Sequence, residues 1–307
     1  MWTRSRFNNE YVPGLFTVAI DTYTTQRAKS MWPDLVTIKT SKKKKEEDAI
    51  RSGVGGAQLK GEGAGITYDT QIAGAKQAWV HNVWALGVRI TEEAIDDNLY
   101  ELGMGGGDDM KEIFHDLGIS MENNIETRMA RFFNSCTATT YHTTRDSAAL
   151  ASATHARLDG SSFSNYATSS DLTYTTFWTN LIAQENQYDH RQMRIRKNVK
   201  NIWIPPQLEK NAREVLHSHD RPDTGNRAIS AYADSGRKIA IKSWPEMTDA
   251  DAWILQSEGR GIIFFWRRKT RFARERDFQT GDMMVKADQR FSAEIADPQD
   301  FYCVVPA

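Results

Sequence analysis

The sequence predicts an α+β protein, and three observations carry that prediction. Apolar residues recur at steps of three and four at Met110, Ile113, Phe114, Leu117, Met121, Ile125, Met129, Phe132 and Phe133, one face of a single long helix. Apolar and polar residues alternate from Met283 to Ile295, the signature of a long strand with one face buried. Between Tyr174 and Trp266 short helical and strand patterns interleave, which suits a compact mixed unit with helices packed on a sheet.

Taken in order, the first forty residues mix aromatic and polar side chains without a sustained period. Such a stretch has no core of its own and reads as an arm that lies on something else. The block Lys42-Lys43-Lys44-Lys45-Glu46-Glu47-Asp48 fits a solvated turn or helix start, or a charge-paired contact with a neighbouring subunit. Glycines then crowd in at Gly53, Gly55, Gly56, Gly61, Gly63 and Gly65, followed by strand-like segments Ile66-Thr67-Tyr68 and Trp79 to Trp84. Together they predict a long, mobile β-hairpin that is unstable alone. Thr91 caps a short helix over Glu92 to Ile95. The long helix starts at Asp108-Asp109, where Asp109 and Glu112 have capping-box spacing. At 1.5 Å per residue it is about 40 Å long, with a bend expected at Gly118.

Small and hydroxyl residues from Thr137 to Ser170 read as loop, and Tyr174 to His190 as helix. Asn201 to Ile204 reads as a buried strand stopped by Pro205-Pro206, with Pro206 opening a helix to His217. Lys238 to Lys242, Trp253 to Leu255 and Ile262 to Trp266 are further strands, and Gln279-Thr280-Gly281-Asp282 is a turn joining Arg271–Phe278 to the long final strand.

Composition narrows function. Lys and Arg total 39 and Asp and Glu 40, for a net charge of −1, so nothing global asks for a nucleic-acid or membrane partner. No leader pattern follows Met1, and Ile262 to Trp266, the longest apolar run, is too short to span a bilayer. The two cysteines, Cys136 and Cys303, make no disulfide framework. Neither glycine cluster carries a phosphate-binding fingerprint, there is no zinc pattern, and no nucleophile elbow. His217-Ser218-His219-Asp220 is the most enzyme-like tetrad, but a cationic helix end explains it equally. Asp96-Asp97 and Asp108-Asp109 read as helix-start acids. Arg191, Arg194, Arg196, Lys197 and Lys200 form a basic run, and Arg267-Arg268-Lys269 with Arg271 a second. Each fits a solvated face, or a contact with nucleic acid or an acidic neighbour. No catalytic, cofactor or metal residue is expected.

The order arm, glycine-rich hairpin, spine helix, compact α+β unit and long β return resembles the major capsid proteins of tailed bacteriophages, of the Hong Kong 97 type. The stretches Arg271 to Asp282, Val285 to Ser292, Asp300-Phe301-Tyr302 and Gln58 to Tyr68 carry the sequence likeness. The resemblance implies an N-terminal arm over 1–41, an extended hairpin (the E-loop) over 42–90, and a peripheral domain with the spine helix over 91–170. An axial domain over 171–268 and a β return to the peripheral domain over 269–307 complete it. It implies a non-enzymatic subunit that assembles into pentamers and hexamers of an icosahedral head around double-stranded DNA, in the virion, after assembly in the host cytoplasm. Implied partners are other copies of the chain, a scaffolding protein and portal during assembly, a decoration protein, and packaged DNA through weak non-specific contact; no membrane and no cofactor. No long scaffolding-like segment lies ahead of the arm, which favours a separate scaffolding protein or a cleaved precursor. Gln58, Lys60, Glu62, Tyr68 and Lys76 are expected at intersubunit contacts. Lys60 and Lys76 lie where some relatives cross-link a loop lysine, but no acid or acceptor partner is identifiable. Phe114, Leu117, Met121 and Ile125 are expected to pack on Val285, Phe291 and Ile295. Three other readings stay open: an encapsulin-like nanocompartment shell, a hydrolase using His217 or His219, and a nucleic-acid-binding module using Arg191 to Lys200.

Overall fold

A computed structural model describes residues 12–93, 107–168, 171–218, 232 and 236–306, without the side chains of 12–16 and 107–110. The expected short helix is described only through Glu93, and His219, Asp220, Asp96 and Asp97 lie outside the described residues.

The arm differs from expectation: it contains an 18-residue helix, α1 (Val12–Lys29). Among its described side chains only a narrow line is buried, in keeping with a sequence that has no clean stripe. Ala19 is that line's centre, fully buried against the spine helix. A short helix, α2 (Trp32–Leu35), follows with Pro33 in its first turn, and then β1 (Val36–Thr40).

The hairpin begins at β2 (Lys45–Arg51), so the charged block is half strand and not a helix start. It returns through β3 (Ala73–Val80), paired antiparallel from Lys45↔Val80 to Arg51↔Ala73. Residues 52–72 contain no helix or strand. The strand expected at Ile66 to Tyr68 does not form: Thr67 bonds Gln58, and Asp69 the Gly55 N–H, through side chains and not through a backbone ladder. The strand expected across Trp79 to Trp84 is two: β4 (Asn82–Ile90) starts after His81 and joins a different sheet.

The spine helix α3 (Gly107–Asn134) runs unbroken for 28 residues. Gly118 serves close approach within it: a Cβ there would lie 2.6 Å from the Ala19 carbonyl oxygen of α1. A glycine normally costs a helix about 1 kcal/mol against alanine, and here it lets two backbones touch.

The stretch read as loop holds three short strands, β5 (His155–Ala156), β6 (Ser162–Phe163) and β7 (Tyr166–Thr168). Helix α4 (Tyr174–Glu185) opens on a Thr173–Thr176 capping box and stops earlier than expected, leaving Tyr188 in an isolated bridge to Arg194. β8 (Val199–Ile204), a 3₁₀ turn over Pro206–Leu208 and α5 (Glu209–His217) follow, then β9 (Ala240–Ser243) and β10 (Trp253–Ser257). Ile262 to Trp266 and Arg271 onward form one strand, β11 (Ile262–Arg276). Its register shifts twice, between Trp266 and Arg268 and between Arg268 and Arg271, and those bulges break the alternation on which the sequence division rested. Its antiparallel partner is β12 (Met283–Ile295), and β13 (Phe301–Val305) ends the chain.

Two sheets result. One has the order β1-β11-β12-β4 and the other β7-β13-β10-β8-β9. The boundary expected at 268/269 falls inside β11, and β13 joins the second sheet beside β10 instead of following β12. The reason is burial: Phe301 to Val304 are all buried, which only a strand covered on both faces allows. The C-terminal half of α3 shares a core with β11, β12 and the second sheet through Phe133, Trp203, Trp244, Phe264 and Phe301. The other face of the second sheet is covered by α4 and α5.

Candidate assembly surfaces

Gln58, Lys60, Glu62, Tyr68 and Lys76 all lie on the hairpin. Gln58 accepts a hydrogen bond from Thr67 at 3.3 Å. Lys60 and Glu62 are exposed, and Tyr68 is 86 % exposed. Lys76 stands on β3, 3.9 Å from Glu47. Leu59 is fully exposed and Val54 and Ile66 more than half exposed, so this irregular tip presents apolar surface to solvent. Three bare aliphatic side chains and Tyr68 on one loop suit a contact region.

The tip stands on a clamped neck. Ser52 N donates to the Ile72 carbonyl at 3.0 Å, and Ile72 N to Ser52 Oγ at 3.0 Å. Arg191 Nε donates to Ser52 Oγ at 3.1 Å, and its guanidinium also reaches Asp69 and the Thr70 carbonyl. Hydrogen bonds from the Gly55 and Thr70 N–H groups, with Arg191 nearby, hold the Asp69 carboxyl below its ordinary range. Lower on the stem, Asp48 takes Arg145 at 3.2 Å and Arg260 at 2.7 Å. Sequence reasoning missed this clamp. Its signal, the basic run from Arg191, fits a solvated face or a contact with nucleic acid or an acidic neighbour, and the structure puts Arg191 on the chain's own loop, beside Asp69. Lys197, from the same run, is largely buried between Asp297 (2.9 Å) and Asp300. In the second run Arg268 and Arg271 share Asp288. Neither run is one open basic face.

The spine residues divide between two clusters. Phe114, Leu117 and Met121 pack with Met283, Val285, Ala287 and Ala19. Ile125 lies with Phe291 and Ile295 in the larger core. Gln289 Nε2 donates to the Met121 carbonyl at 3.0 Å, a polar tie across the same contact. Glu122 and Glu126, on the next stripe of α3, were not singled out by the sequence. Trp32 Nε1 donates to Glu122 at 2.7 Å, and Trp244 Nε1 to Glu126 at 2.6 Å. Glu126 also accepts from the Met31 and Trp32 N–H groups, yet burial pushes its carboxyl above the ordinary value. The only available hint was an i, i+4 acid pair beside an apolar stripe.

Among the described residues no group of three His, Cys, Asp or Glu could hold a metal ion. His217 is the last residue of α5. Cys136 and Cys303 meet in the core as buried free thiols, Cys303 held well above the ordinary thiol range by its neighbour and by burial. Burial and Asp297 push Asp300 up to about 6, while Lys197 and the Gly261 N–H oppose them. That group ties the β10–β11 turn, with Gly261 N at 2.6 Å from Asp300 Oδ2. No described helix is long and apolar enough to cross a membrane.

Comparison with known proteins places this geometry. The family model described as phage capsid protein matches residues 77–304. A search of curated protein sequences finds no match. Among solved structures, the capsid of an empty GTA particle aligns with TM-score 0.57 at 10 % identity, covering 91 % of this chain and 90 % of that one. The capsid of cyanophage P-SCSP1u aligns with TM-score 0.52 at 13 % identity over 91 % and 88 %. A virus-like particle from Pyrococcus furiosus aligns with TM-score 0.53 at 11 % identity over 96 % and 99 %.

Proposed function

Given that the chain belongs to the phage capsid protein family, we propose that its copies form pentamers and hexamers that close into an icosahedral head around double-stranded DNA. It is a structural subunit of a phage head with the Hong Kong 97-type capsid fold, and its place is in the virion, in a shell of its own copies. The observation that carries the finer reading is the hairpin: an apolar tip, clamped at the neck and bare at the end, that a single copy leaves unsatisfied. Gln58, Lys60, Glu62, Tyr68 and Lys76 then contact a neighbour, and the α3–β12 packing is the stiff body that carries them.

The remaining partners follow the same reading. A scaffolding protein and a portal take part in assembly in the host cytoplasm, a decoration protein binds the outside, and packaged DNA touches the inside weakly. A net charge of −1 supports weak DNA contact, since a strongly basic lining would hold the genome tightly. The subunit works without catalysis, and 1–41, 42–90, 91–170, 171–268 and 269–307 serve as arm, hairpin, peripheral domain, axial domain and β return, with the last strand shared. Negative-stain microscopy of the purified protein, with scaffolding protein supplied, tests the reading: closed shells are expected, and a stable monomer at all concentrations would overturn it. The second reading is a cellular nanocompartment shell, since a virus-like particle shares the fold. Shells filled with an enzyme cargo instead of DNA would favour it.

A further inference from the structure

The turn that closes the long β11–β12 hairpin carries Phe278, a large apolar side chain that is fully exposed at 102 %. Loop tips normally carry small or polar residues and are loosely held. This one is held firmly. Gly281 N donates to the Asp277 carbonyl and Asp277 N to the Asp282 carbonyl, both at 2.9 Å. Gln279 N donates to Asp277 Oδ1 at 3.0 Å. From β4, Arg89 donates to Asp282 at 2.5 Å and to Thr280 at 2.8 Å. Gly281 takes a φ of +76°, with Glu92 occupying the space a Cβ would need. A rigid turn presenting one bare aromatic ring is preorganised, because little freedom remains to be lost when the ring is covered. Aromatic anchors of this kind dominate protein interfaces.

Beside the turn, the same end of the hairpin bears a shallow cavity of about 270 Å³ lined by Arg274, Glu275, Arg276 and Met283. Guanidinium groups are favourable neighbours for an aromatic ring, and Met283 forms the floor of the cavity, itself buried against the spine helix. Within one copy Phe278 does not use that cavity, since its ring is wholly in solvent. Within one copy, ring and cavity are therefore left unmatched. We propose that Phe278 of one copy seats against the guanidinium groups of Arg274 and Arg276 of a second copy, making the hairpin ends a head-to-tail contact that repeats around a symmetry axis. This rests on the shell reading above and adds the residues that join neighbouring copies.

The test places a photo-crosslinker at the tip, as Phe278→p-benzoylphenylalanine, and irradiates assembled particles. The expected product is a subunit dimer in which the peptide from the second, isotopically labelled copy includes Arg274 or Arg276. Cross-links only to another protein, only to a different part of this chain, or none at all would overturn the contact. In parallel, Phe278→Ala should leave the melting temperature of the free subunit unchanged while raising the concentration needed for assembly about tenfold. Phe278→Trp should restore assembly. Shells that form as readily from Phe278→Ala overturn this contact alone, whereas a wild-type chain that forms no shell overturns the shell reading and the contact with it.

Discussion

Glu126 shows how a single residue joins three segments. Its carboxylate takes the Trp244 indole and the N–H groups of Met31 and Trp32, so α2, α3 and the segment after β9 converge on one side chain. Removing it leaves those donors buried and unpaired, which costs about 1–3 kcal/mol for each such group. Glu126→Ala should therefore lower the denaturant midpoint of the free subunit clearly, and Glu126→Gln much less. The pH dependence follows from burial, which raises the folded carboxyl above its ordinary 4.5. The folded state then binds the proton more tightly than the unfolded chain, so this group's contribution is fully present below pH 4.5 and is lost as pH rises through the folded value. Urea titrations across that window should show Glu126→Gln with a flatter fall in stability than wild type; identical slopes would remove Glu126 from the account.

At the scale of elements, the spine helix and its strand carry the subunit, and the hairpin carries its reach. Leu117 is buried against α1 and β12, and truncating such a leucine costs about 2–5 kcal/mol. Leu117→Ala and Phe291→Ala should reduce soluble subunit before they alter shell geometry. A double-mutant cycle between Phe114 and Val285, which share a cluster, should show coupling, and strict additivity would mean that they do not interact. Gly118→Ala should be destabilising despite alanine's better helix propensity, because its Cβ would meet the Ala19 carbonyl oxygen at 2.6 Å. The hairpin divides into two dynamic parts. Residues 53–68 are almost all exposed and lie outside helix and strand, and they should exchange amide hydrogens quickly in free subunits and slowly in shells, since ordering a glycine-rich tip needs offsetting contacts. The stem should be protected in both states, and Arg191→Ala should expose it. Equal protection of tip and stem in the free subunit would remove the clamp from this picture.

The whole molecule is expected to be incomplete alone. An apolar hairpin tip and a bare Phe278 stand at two separate places on one copy, and unlike surfaces meeting head to tail generate closed rings. Native mass spectrometry should find pentamers and hexamers, and light scattering should show growth to closed shells with scaffolding protein present. A single stable monomer under those conditions would contradict the assembly reading. The virion setting is compatible with buried, unpaired Cys136 and Cys303, since the core around them does not depend on a disulfide.

The sequence by itself determined the long elements and much of their order. A stripe at helical spacing from Ile113 to Phe133 and an alternation ending at Ile295 are long enough for periodicity to outweigh context, and α3 and β12 lie where those patterns put them. It also showed the glycine-rich hairpin, because glycine density is a local property of the chain. Tertiary structure decided what local pattern cannot express. Helix α1 shows no stripe of its own and depends on the notch at Gly118; β11 is one strand only because β12 runs beside it through two bulges. The last strand belongs to the second sheet because β10 offers it an edge. The basic run from Arg191 was visible as charge, but its partners Ser52, Asp69 and Asp297 lie far away along the chain. A charge is written in the sequence; the group that neutralises it is chosen by the fold.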